Sequence, residues 1–116
     1  MASLPMVASG GGGANVTYLD AKWLGTGTSG SYTIPVASAS GVIIFQTERT
    51  AGSGAAALSV TLPDNNRFNV VYSGKPNTSY GVTAIEYENA TTSDTIGWSG
   101  GSSGQFVEVV MIGESA

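Results

Sequence analysis

Few residues in this chain have chemistry to offer. Glu86 and Glu88 are the closest carboxylate pair, set two apart around Tyr87, so on a strand they share one face. A glycosidase needs two carboxyls facing each other across a cleft. Neighbours on one strand make no cleft, and the pair reads as a solvated strand face. Asp64-Asn65-Asn66 clusters three oxygen-bearing side chains but lacks the loop pattern of an EF-hand, and reads as a turn. The glycine-rich stretches 25–30 and 99–104 have neither the lysine nor the following helix of a phosphate loop. Histidine and cysteine are absent. That removes Ser–His and Cys–His nucleophiles and the metal sites built on imidazole or thiolate. The residues predict a protein that is not an enzyme and holds no cofactor or metal.

Aromatic side chains carry more promise. Trp23, Trp98, Tyr18, Tyr32, Tyr72, Tyr80 and Tyr87 are spread along the chain, and exposed Trp and Tyr stack on sugar rings or anchor protein contacts. Trp98 lies at a strand end beside Ser99-Gly100-Gly101 and is the candidate glycan contact. Trp23 is expected in the core.

The elements that must position these groups are strands. Eight apolar runs alternate with Gly, Ser, Asn and Pro turns: 16–24, 31–36, 42–49, 56–62, 67–72, 80–88, 95–98 and 105–112. Pro35 makes the second run an edge or terminal strand, because proline cannot donate to a ladder. Leu58, Val60 and Leu62 alternate with Ser59 and Thr61, and Phe68, Val70 and Tyr72 follow the turn at 63–66. Residues 58–72 therefore read as a hairpin. In the first run, Leu19, Ala21 and Trp23 fall on one face and Asp20 and Lys22 on the other. No stretch has a sustained helical period. The expected fold is an antiparallel β-sandwich of about eight strands, of which the jelly roll is one Greek-key form.

Four basic and eight acidic residues leave a net charge of −4 on 116 residues, far below the usual share of about 25% charged. Lys22, Arg49, Arg67 and Lys75 are scattered, and phosphate backbones need clustered cations. Nucleic acid is not an expected partner. Neither is a membrane, since no run approaches the ~20 apolar residues of a span. Residues 1–14 contain no Lys or Arg and include Gly10 to Gly13. They read as a flexible arm with a glycine hinge and an apolar tip at Leu4, Pro5, Met6 and Val7. Residues 15–116 form the sandwich domain.

Two runs break the one-wet-face rule for sandwich strands. Val42-Ile43-Ile44-Phe45 is apolar throughout, and in the segment from Phe106 to Ile112 only Glu108 is polar. A two-layer fold has no third layer for the second face, so a neighbouring copy is expected to cover it. Val42, Ile44, Val107, Val109 and Met111 are the expected oligomer interface, with a trimer as the expected assembly.

Gly30-Ser31-Tyr32-Thr33-Ile34-Pro35, then Gly41-Val42-Ile43-Ile44, resembles segments of bacteriophage tail-fibre and other virion surface proteins. Gly104 to Ile112 resembles a fibre-type closing strand. These segments span about a quarter of the chain and carry no functional residue with them. The resemblance implies a structural protein of the virion, a capsid decoration or fibre component. Such a protein would self-associate and attach to other virion proteins through its N-terminal arm. A carbohydrate-binding adhesin that contacts a surface glycan is the alternative. An ice-binding face comes next, and an enzyme last.

Overall fold

The computed structural model describes residues 16–49, 54–100 and 104–115. Its strands are β1 (Val16–Thr26), β2 (Ser29–Thr33), β3 (Ser38–Glu48), β4 (Ser59–Thr61), β5 (Phe68–Asn77), β6 (Tyr80–Ala90), β7 (Thr95–Ser99) and β8 (Phe106–Ser115). They form two antiparallel sheets. One has five strands in the order β1-β8-β3-β6-β5, the other three in the order β2-β7-β4. The fold is all-β with about the number of strands the turn spacing predicts. The pairing is nested: β1 joins β8, β2 joins β7, and β3 joins β6.

The expected hairpin over 58–72 does not form. β4 pairs with β7 and β5 pairs with β6, so the two runs belong to different sheets. Alternation shows which face of a strand is buried; it does not name the neighbour. The turn between them is built around Asp64, whose carboxylate accepts from the backbone N–H groups of Asn66 (3.0 Å) and Arg67 (2.8 Å). A bulge between Val70 and Tyr72 then moves Tyr72 to the opposite face from Phe68.

The core lies where the two sheets overlap. Along β3, β6 and β8 every second residue is buried, giving Ile43 and Phe45, Ile85 and Tyr87, and Val107, Val109 and Met111. They meet Tyr32, Ile34, Leu58, Ile96 and Trp98 from the side of the narrower sheet. Burying each large apolar side chain contributes about 1.5–3 kcal/mol, and Tyr32 meets Phe45 edge-on with centroids 6.1 Å apart, a favoured aromatic geometry. Trp98 lies against its cross-strand partner Gly30. A Cβ there would stand 2.5 Å from the indole Cζ2, so the ring needs glycine opposite it.

Polar groups tie the layers together. Arg67, at the start of β5, makes a two-pronged pair with Asp94, just before β7, at 2.8 and 2.7 Å. Its Nε donates to Asp64, and its Nη1 also donates to the Asn89 carbonyl. One guanidinium thus links both sheets at one end of the sandwich. Elsewhere the Tyr32 hydroxyl in β2 donates to Asp20 in β1 at 2.7 Å. Thr47 and Thr83, buried on the inner face, donate to the carbonyls of Ala56 and Leu58. The Tyr87 hydroxyl donates to Ser38 Oγ at 2.8 Å, and Ser38 in turn donates to the Glu114 carbonyl. The facing pair Gly41 and Gly113 leaves the space this hydroxyl occupies.

The Arg67 hydrogen bonds hold the Asp94 carboxyl at about 2, against the opposing effect of its burial. A depressed carboxylate stabilises the fold above its unfolded pKa, near ~3.9, and that contribution is lost as pH falls through the folded value. Stability measured by urea unfolding is therefore expected to be level above about pH 5 with respect to this group and to fall between about pH 4 and pH 2. Asp94→Asn is expected to cost about 1–3 kcal/mol at neutral pH, with Arg67 left half-satisfied, and to flatten that acid limb.

Candidate functional site

The outer face of the five-stranded sheet is a large surface that the core does not explain. Directly paired residues in antiparallel strands point to the same side, so the registers lay out this face row by row. Tyr18, Ile112, Val42, Glu86 and Asn69 form one row from β1 to β5. The next is Ala21, Val110, Ile44, Ala84 and Tyr72. The third is Trp23, Glu108, Gln46, Val82 and Gly74. The middle row is apolar across all five strands.

Central members of this face are half-buried by their neighbours, while its flanks are open. Tyr18 is 73% exposed and Trp23 62% exposed, with Val71, Tyr72 and Phe106 also exposed. Trp23 and Phe106 lie with ring centroids 6.4 Å apart. A shallow concavity of about 220 Å³ is lined by Tyr18, Ile44, Gln46, Glu108, Val110 and Ile112. Exposed apolar patches of this kind, edged by polar residues, mark contact sites.

The structure divides the expected interface. Val42 and Ile44 stand on the outer face as expected. Val107, Val109 and Met111 do not: they are fully buried between the sheets. The outward residues of β8 are Phe106, Glu108, Val110 and Ile112. Both sets in that strand are apolar, so composition alone gives no way to choose between them. Register does, through the pairing of Val110 with Ile44.

The two tryptophans exchange their expected places. Trp98, the candidate glycan contact, is 5% exposed and packs in the core, so it presents no ring to a sugar. Trp23 is on the outer face. A bulge between Tyr18 and Asp20 inserts one residue into β1, and one inserted residue reverses the faces of all that follow. Ala21 and Trp23 therefore join Tyr18 outside. Asp20 and Lys22 turn toward the side of the narrower sheet, and Leu19 packs against the core. Trp23 joins the aromatic flank with Tyr18 for this reason, and Phe106 joins it through the register of β8. The tip residues Leu4, Pro5, Met6 and Val7 lie outside the described residues.

Glu86 and Glu88 share the outer face, and Tyr87 between them is buried. Among the described residues no group of three or more His, Cys, Asp or Glu is placed to hold a metal ion. All three aspartates are occupied: Asp20 accepts from Tyr32, and Asp64 and Asp94 from Arg67. What this face offers is apolar area, aromatic rings and hydrogen-bonding strand edges. Comparison with protein-family models, with curated proteins and with solved structures gives no match.

Acrylamide quenching separates the two indoles: Trp23 fluorescence is expected to be quenched readily and Trp98 hardly at all, read from the Trp23→Phe and Trp98→Phe variants. Met111→Ala is expected to cost about 2–5 kcal/mol of stability. Its outward neighbour Ile112→Ala should cost about 1 kcal/mol or less in the isolated chain, where no large cavity is left behind.

Proposed function

We propose that this chain is a non-enzymatic structural protein of a phage virion, a capsid decoration or fibre component. Its five-stranded sheet is covered by a neighbouring chain in the assembled particle, and its N-terminal arm makes the attachment. The observation that supports this reading is the apolar row running across β1, β8, β3, β6 and β5 on the outside of the sandwich. A sheet normally keeps one face wet, and each apolar side chain left on the second face forgoes about 1.5–3 kcal/mol that burial would contribute. Assembly recovers that contribution. The virion itself is proposed from the resemblance of residues 30–44 and 104–112 to virion surface proteins.

The nested strand pairing also supports a finer reading of the fold. In a jelly roll a long antiparallel hairpin is wound up so that first pairs with last, second with seventh and third with sixth. We read this chain as a jelly roll whose fifth strand extends the wider sheet beside β6 instead of returning to β4.

A second reading, an adhesin that binds a surface glycan, is favoured by Tyr18 and Trp23 standing exposed along one flank of a flat sheet. Sugar rings stack on such a platform.

Electron microscopy of the purified chain and of particles that contain it tests the first reading, with symmetric assemblies as the expected result. A chain lacking residues 1–13 is expected to fold with an unchanged circular dichroism spectrum and to be lost from particles; full incorporation overturns the attachment role. On a glycan array, binding abolished by Trp23→Ala would favour the adhesin, and an array blank for the native chain removes it.

A further inference from the structure

The charged residues paired across the outer face are all of one sign. Every glutamate of the chain sits there: Glu86 in the first row beside Val42, and Glu108 in the third beside Gln46. Glu48 lies beyond it between Phe106 and Tyr80, and Glu88 and Glu114 are at the other end beside Ser40 and Val16. No lysine or arginine is among the residues paired on this face. Arg67 is committed to Asp64 and Asp94, and Lys22 stands on the opposite side of β1, paired with Val109. The paired residues of the face are therefore an apolar belt crossing five strands with carboxylates toward both ends, and Lys75, exposed in the irregular stretch of β5 between Gly74 and Asn77, is the cation nearest to it in the strand order.

We infer that a second copy of this chain seats on the belt, and that the pairing strengthens as ionic strength rises. The inference rests on the proposed reading that a neighbouring chain covers this face. The dimensions suit a copy. Five strands about 4.8 Å apart, over three rows about 7 Å apart, give on the order of 500 Å² of sheet per copy. That is over half of the ~800 Å² per partner of a standard stable interface and suits a weak, reversible pairing. Twisted sheets also pack face to face, at about 10 Å with a modest angle between strand directions. Belt against belt buries Ile44, Val110, Ala84 and Ala21, and leaves the end glutamates at a wetted perimeter. The same patch used once by each copy makes a two-fold contact, in place of the trimer expected from the sequence.

Charge sets the salt response. Two such faces bring carboxylates toward carboxylates, and their repulsion is screened as the Debye length falls from about 30 Å at 0.01 M salt to about 3 Å at 1 M. A partner that brought lysine or arginine to this face would behave in the opposite way, binding more weakly in salt. Glu108 borders the concavity with Tyr18, Ile44 and Val110, one row from the middle of the belt, as Glu86 is on its other side.

Sedimentation velocity of the full chain at low and high sodium chloride tests this. The expected result is a monomer–dimer equilibrium that shifts to dimer in high salt. Glu108→Gln should tighten association roughly three- to tenfold at low salt, since like charges set close together oppose pairing. Ile44→Asp should give a folded monomer at both salt concentrations. Tyr18→Asp, at an open position, serves if Ile44→Asp does not fold. Association that weakens with salt, or that survives both aspartate variants, overturns the inference while leaving the covered face in place. A full chain that stays monomeric while a chain lacking residues 1–13 dimerises makes the N-terminal segment the occupant, and again overturns only the inference. Monomer in every sample, the truncated chain included, overturns the inference together with the reading it rests on.

Discussion

Two sheets of unequal width share one core, and most of this structure follows from that mismatch. Three strands can cover only the middle of a five-stranded sheet, so β8, β3 and β6 supply nearly all of its buried side chains. The outer strands β1 and β5 hang past the overlap. There Asp20, Lys22 and the mid-strand residues of β5 meet solvent or find polar partners. The ties that close the sandwich sit at its margins for the same reason. Tyr32 reaches Asp20 at one flank, and Arg67 grips Asp94 at the end where β5 departs. Burial pushes the Tyr32 phenol up, and the Asp20 carboxylate pushes it further in the same direction, so its proton stays on the donor side of that bond.

The outer face has a different status from the core. The inner positions of β3, β6 and β8 already account for the packing of the monomer. The apolar residues between them contribute nothing comparable to an isolated chain. On the proposed reading, a partner removes this surface from water. Its titratable groups are glutamates spread along strands, with Glu86 and Glu88 side by side on β6.

Much of the architecture was legible in the sequence. Period-two alternation, glycine-rich connectors and the absence of a helical period gave an eight-strand sandwich, and the double-sided greasiness of Val42–Phe45 pointed to an apolar outer face. Strand limits moved by a few residues, as at β5, which continues to Asn77. Residue types also disclosed the turn at Asp64. The partnership of Arg67 with Asp94, 27 positions away, left no local trace, because nothing in either neighbourhood says that the two ends of different sheets will meet.

By itself, the sequence determined the class of fold, the poverty of catalytic groups and the existence of a surplus apolar face, because these depend on composition and local period. Tertiary structure alone decided which residues occupy that face. Val107, Val109 and Met111 went inside while Val110 and Ile112 went outside, and Trp98 was buried while Trp23 emerged. In a strand apolar on both sides, and in one broken by a bulge, side-chain direction is set by register against the neighbouring strand. Register is a property of the pair.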